Sequence, residues 1–241
     1  MNILLVNDDG YNKEGLLILK EFLKEYGTVY MSAPRLPQSG KSAAFTYLNG
    51  LKVEKVDEYN YIVDGTPVDC TSFALNVLDV KFDLVVSGCN NGFNISYDCF
   101  YSGTIGACKE ALVHEIPAIA FSTDVKHFEI VKNEFHTVMK YILKHKLISN
   151  EYILNVNFPS IEYNKSKGIK LTKQYFRKDD FYYEIKDGLY FLDRYEDKFG
   201  GDEDCDVYCA RNGFISITPI HVTSFNLETY KKLKEKIKEE E

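Results

Sequence analysis

Asn2-Ile3-Leu4-Leu5-Val6-Asn7-Asp8-Asp9-Gly10 opens the chain, a short apolar run that passes straight into two adjacent carboxylates and a glycine. Four consecutive apolar residues suit a strand buried on both faces, as in a parallel sheet covered by helices. The acids arrive where that strand must end, at the rim where open α/β sheets bind ligands. Neighbouring carboxylates repel each other unless a cation or a proton lies between them. The opening therefore points to a parallel α/β sheet with a site for a hard divalent cation at its edge.

The chain beyond it keeps to that plan. Residues 15–26 read as a helix, because Leu16, Leu19, Leu23 and Tyr26 recur at helical spacing and Gly27 offers a stop. A second strand is expected over 28–33, ended by Pro34, which completes a βαβ unit. Helices are expected over 68–78, 104–113 and 128–143, and strands over 82–87, 118–122 and 153–158. After Pro159 the texture changes. Residues 170–176 alternate loosely, and 181–192 carry Lys186-Asp187-Gly188, a hairpin-turn signal. A strand over 214–217 and a charged helix over 227–238 follow, and the closing Lys-Glu run reads as a solvated helix end.

Bulk composition narrows the function. The 241 residues are 45% hydrophobic and 27% charged, ordinary for a globular protein with a real core. The net charge is −7 with the basic residues scattered, which speaks against a nucleic-acid polymer as partner. The first residues carry no basic segment followed by an apolar core, and no run approaches membrane-spanning length. Without an export signal, Cys70, Cys89, Cys99, Cys108, Cys205 and Cys209 are expected as reduced thiols in a cytoplasmic protein. Zinc at Cys205 and Cys209 is disfavoured because no second ligand pair accompanies them.

Four polar, glycine-containing segments follow expected strands or open expected helices. They are Asn7-Asp8-Asp9-Gly10, Pro37-Gln38-Ser39-Gly40-Lys41-Ser42, Ser87-Gly88-Cys89-Asn90-Asn91-Gly92-Phe93-Asn94 and Tyr101-Ser102-Gly103-Thr104. In a parallel sheet the segments after strands emerge at one edge, so they can converge. Alone, each has a plainer reading as a cap or a turn. Together, oxygens from Asp8, Asp9, Ser39 and Asn90 suit magnesium or manganese and are wrong for zinc. Amides and hydroxyls at Ser102, Gly103 and Thr104 would hold phosphate oxygens at a helix start. The reaction class expected is metal-assisted phosphomonoester hydrolysis. No G-x-G-x-x-G follows the first strand, and no G-x-x-x-x-G-K-[ST] occurs. Adjacent aspartates also differ from the D-x-D order of aspartyl-phosphate enzymes. His114, His127, His136, His145 and His221 share no metal-ligand spacing and are expected to be surface or core residues.

With Gly65-Thr66-Pro67-Val68-Asp69-Cys70 and Ser216-Ile217-Thr218-Pro219 added, this ordered set resembles SurE, the survival protein family of metal-dependent 5′/3′-nucleotidases. The resemblance runs along nearly the whole chain. It implies a Rossmann-like three-layer α/β sandwich with a mostly parallel sheet, residues 1–160 forming the catalytic core. Residues 161–241 would form a strand-rich arm and helix, exchanged between subunits and completing the same catalytic unit. It implies hydrolysis of nucleoside monophosphates to nucleoside and phosphate in a homodimer or homotetramer, with one magnesium or manganese ion per subunit. Carried over by position, Asp8 and Asp9 are the catalytic pair, and Asp8, Asp9, Ser39 and Asn90 the metal ligands. Asn94, Ser102, Gly103 and Thr104 fall on the phosphate side, Glu110 matches an acidic position, and the Gly65-Thr66-Pro67 turn shapes the pocket. Asn91 departs from the basic residue many relatives carry, and Cys108 and Lys109 lie in a helix often smaller and more apolar there. The alternatives are a broader phosphomonoesterase, a short-chain polyphosphatase, or a nucleotide-binding protein without catalysis. Paired carboxylates weigh against the last, since without a cation they oppose phosphate.

Overall fold

β1 (Asn2–Val6) is covered on both faces, with Ile3 and Leu5 in one apolar cluster and Leu4 and Val6 in another. Side chains alternate along a strand, so an unbroken apolar run demands cover on each side. The computed structural model describes residues 1–176, 181–194, 201–223 and 226–238. After β1 come α1 (Glu14–Leu23), β2 (Thr28–Pro34), β3 (Val53–Lys55), β4 (Asn60–Val63), α2 (Pro67–Val77) and β5 (Leu84–Asn91). The chain continues with α3 (Asp98–Tyr101), α4 (Gly103–Val113), β6 (Ala118–Thr123), α5 (Phe128–Lys144), β7 (Ile153–Asn157) and β8 (Ile169–Leu171). It closes with β9 (Phe181–Lys186), β10 (Leu189–Arg194), α6 (Asp206–Arg211), β11 (Ile215–Ile220) and α7 (Leu227–Lys238). Residues 239–241, the end of the Lys-Glu run, lie outside the described residues.

The main sheet has nine strands in the order β3-β4-β2-β1-β5-β6-β7-β11-β8. The six from β4 to β7 in that order run parallel, while β3 and β11 pair antiparallel with β4 and β7. α1 and α5 cover one face through Leu16, Leu19, Leu23, Val131, Phe135 and Ile142. α2 and α4 cover the other through Cys70, Ala74, Ile105 and Ala111. This is the three-layer, mostly parallel α/β architecture expected from the sequence. Of the C-terminal stretch, β8 and β11 extend the main sheet, whereas β9 and β10 form a separate two-stranded sheet.

The order of strands locates the site. From β1 the chain moves outward through β2 to β4, then returns to the other side of β1 with β5 and moves outward again through β6 and β7. β1 and β5 are thus neighbours whose connections leave in opposite directions, which opens a crevice beyond their C-terminal ends. Val6 pairs in register with Ser87, so the residues after each emerge side by side.

Candidate active site

Asp8 and Asp9 leave β1 in a tight turn closed by Asn7, whose Nδ2 donates to Gly10 O at 2.9 Å. Asp9 Oδ2 accepts the Asn91 amide at 3.2 Å, joining the end of β1 to the end of β5. Asn90 spends its Nδ2 on Gly92 O at 2.8 Å, which leaves Oδ1 as the atom it can offer a cation. Ser39 is brought alongside by the Gln38 amide, which donates to Asp8 O at 2.7 Å. Asp8, Asp9, Ser39 and Asn90 all line one cleft of about 730 Å³, within the usual range for a small-molecule pocket.

Asp8 is nearly removed from water at 4% exposure. Burial, together with the Asp9 charge, pushes its pKa up to about 6, against the lowering effect of the Thr104 hydroxyl. Asp9 is also raised, chiefly by burial, while the Asn91 amide and Lys13 favour its charged form. Among the described residues neither carboxylate forms an ion pair. Two desolvated like charges without a counter-charge in contact are the electrostatic setting a divalent cation relieves. The donors are hard oxygens, which fits magnesium or manganese. Among the described residues no group of three or more His, Cys, Asp or Glu converges, and Cys205 and Cys209 are buried free thiols.

α4 begins directly against Asp8. A Cβ on Gly103 would lie 2.8 Å from Asp8 Cβ and 3.0 Å from Pro67 Cγ, so only glycine lets the helix start so close. Thr104, fully buried, donates its hydroxyl to Asp8 Oδ1 at 2.8 Å. Ser102 caps the helix by accepting the Ile105 amide at 3.1 Å and lines the cleft, keeping its O–H as a donor. Gly103 and Thr104 stand behind Asp8 and are not among the residues lining the cleft. Asn94 does line it, held by a buried amide network. Its N–H donates to Asn157 Oδ1 at 2.9 Å and its Nδ2 to Ser122 Oγ at 2.8 Å, while its carbonyl accepts from Asn155 and Asn157. Glu110 is directed to His114 at 3.3 Å and does not line the cleft.

Several lining residues escaped the sequence reading: Phe93, Asp98, Tyr101, Tyr183 and Leu192. Phe93 and Tyr101 sit inside quoted segments, and a lone aromatic in a polar loop was the available signal. Tyr183 and Leu192 come from the β9–β10 hairpin, whose position over the cleft no local pattern announces. Thr66 caps α2 in a reciprocal box with Asp69, which explains the Gly65-Thr66-Pro67 turn.

Comparison with known proteins finds relatives of one family. The family profile described as Survival protein SurE matches residues 3–180. The 5′-nucleotidase SurE of Aquifex aeolicus is 36% identical, with 96% of each chain covered. That of Alkaliphilus metalliredigens is 34% identical, covering 97% of this chain and 98% of the relative. The crystal structure of the SurE protein from Aquifex aeolicus superposes with a TM-score of 0.85 at 36% identity, covering 97% of this chain and 98% of that one.

Proposed function

The chain belongs to the survival protein SurE family, and from that premise we propose that its cleft hydrolyses nucleoside monophosphates with one magnesium or manganese ion held by Asp8, Asp9, Ser39 and Asn90. The enzyme is a phosphoric monoester hydrolase of the 5′-nucleotidase type, and the family brings a divalent-metal dependence. The observation that carries the assignment of residues is the acid pair: two desolvated carboxylates at the sheet's switch point, facing Ser39 and Asn90 across one cleft. When bound, such a cation supplies Lewis-acid polarisation and neutralises charge on the phosphoryl group.

The chain's own groups do the rest. Thr104 holds Asp8 Oδ1 and so fixes how the carboxylate is turned. Asp9, half-buried and open to the cleft, is placed to exchange a proton with the attacking water or the departing alcohol. The Ser102 hydroxyl and the second Nδ2 hydrogen of Asn94, whose first goes to Ser122 Oγ, are the donors offered to phosphate oxygens, with the amides of Gly103 and Thr104 adding the favourable field of a helix start.

A nucleotide is favoured over inorganic polyphosphate by the far wall of the cleft. Phe93, Tyr101, Tyr183 and Leu192 offer a base an apolar and aromatic surface that a bare phosphate chain cannot use. A homodimer or homotetramer is supported by the hairpin face carrying Tyr183, Ile185, Tyr190 and Leu192, which is 57–69% exposed. Among the described residues no helix is long and apolar enough to cross a membrane, and a cytoplasmic setting accords with six free cysteines.

The test is phosphate release from a panel of nucleoside monophosphates, a simple aryl phosphate and tripolyphosphate, with manganese and with chelator. Nucleotides should lead the panel, and chelator should abolish release. Asp9→Asn should cut turnover by about a hundredfold or more while circular dichroism stays unchanged. Undiminished release by Asp9→Asn would remove the acid pair from the mechanism.

A further inference from the structure

Asp69 is a fully buried carboxylate at the third position of α2. Its Oδ2 accepts the Thr66 amide at 2.8 Å, which closes the capping box. A cap needs nothing more. Yet Oδ1 accepts the Thr46 amide at 2.8 Å, and Oδ2 also takes the Thr46 hydroxyl at 2.7 Å, from a residue 23 positions upstream. Thr66 adds its own hydroxyl to Ala44 O at 2.7 Å. The start of α2 thus holds a segment that has no regular structure of its own.

That segment carries Ser39. From Arg35 to Lys52 the chain forms no helix or strand, and Phe45, Tyr47 and Leu48 are 49%, 85% and 91% exposed. Apolar packing therefore does little to place it. Polar ties do so instead, at three points. Gln38 N donates to Asp8 O; Ser42 donates its amide to Tyr101 O at 2.9 Å and its hydroxyl to Phe100 O at 2.6 Å; and Asp69 and Thr66 take 44–46. Gly106 permits the middle tie, since a Cβ there would fall 2.1 Å from Ser42 O. Of the three, only the last uses a buried charge, and hydrogen bonds to charged groups are about twice as strong as neutral ones.

We propose that Asp69 is a positioning residue for the cation site: by gripping Thr46 it fixes the far end of the 38–46 loop and so keeps Ser39 Oγ beside Asp8, Asp9 and Asn90. This rests on the assignment of Ser39 as a ligand made above. The Gly65-Thr66-Pro67-Val68-Asp69-Cys70 stretch, which touches no substrate in that assignment, acquires a role: it clamps the loop that does.

Thr46→Val tests the grip without touching the α2 cap, and Thr46→Ser restores the hydroxyl. Manganese is titrated into chelator-stripped protein and the free ion followed by electron paramagnetic resonance. Amide hydrogen exchange of 39–46 is measured without metal. Thr46→Val should bind manganese about fivefold more weakly, the loss of roughly one hydrogen bond. Its loop amides should exchange faster while those of α2 stay as in the parent, and Thr46→Ser should reverse both effects. Asp69→Ala should weaken binding further, and if it fails to fold Thr46→Val still decides. Unchanged affinity, or a change in affinity or exchange without the other, overturns the inference. Ser39→Ala binding manganese as tightly as the parent would instead overturn the ligand assignment, and this inference with it.

Discussion

Asp8 combines almost complete burial with an adjacent like charge, and that combination has a pH signature. Its pKa is raised from 3.8 to about 6 by burial and by Asp9, with Thr104 opposing. A carboxyl with a raised folded pKa binds its proton more tightly in the folded state than in the unfolded one. Its contribution to stability is whole below about pH 4 and is lost as pH rises through 6. Two pKa units correspond to about 3 kcal/mol. In chelator, Asp8→Asn should therefore be more stable than the parent near pH 7.5 by up to about 3 kcal/mol, and the two should converge near pH 4. Urea unfolding at both pH values checks this, and a variant no more stable at the higher pH would contradict it. With Asp8 as the proposed ligand, adding manganese should reverse the order at neutral pH, because only the parent would gain the bound ion.

At the scale of an element, α4 owes its place to a side chain it lacks, at Gly103. Alanine is ordinarily favoured over glycine in a helix by up to about 1 kcal/mol. At position 103 the new methyl would meet Asp8 Cβ at 2.8 Å and Pro67 Cγ at 3.0 Å. Overpacking of this kind costs roughly 1–3 kcal/mol, so the clash outweighs the propensity. Gly103→Ala should lower the melting temperature by a few degrees, read by calorimetry, and reduce phosphate release more than that loss of stability explains. Elements of this size were unequally legible. β1 announced itself by an unbroken apolar run, and α1 and α5 by apolar residues at helical spacing. β3 and β4, with three and four residues, α3 with four and α6 with six were too short to show a period. β5 extends to Asn91 because Asn90 and Asn91 pair with Ser122 and Thr123 after a register shift, although their side chains are polar.

For the molecule as a whole, the β9–β10 hairpin is one part that lacks cover among the described residues. In its antiparallel register Tyr183 faces Leu192 and Ile185 faces Tyr190, so these four make an apolar patch on one side, and all four are exposed. A two-stranded sheet is marginal in water unless that face finds a surface. Ile185→Glu with Tyr190→Glu leaves the two cleft-lining residues in place and should reduce the proposed homodimer or homotetramer to a smaller species by light scattering. An unchanged mass would show that the hairpin plays no part in assembly.

Periodicity and residue chemistry alone determined the parallel α/β plan, the acid pair at the end of β1 and the polar segments able to join it, because those are properties of short stretches of chain. Which atoms meet was decided only in three dimensions. Thr104 turns to Asp8 and Asp69 reaches back to Thr46, across 96 and 23 residues. The strand order brings the end of β1 against the start of α4, and the first of these pairings follows from it. That order follows from the need to bury two faces of one sheet at once, a condition on the whole chain that no window of sequence contains.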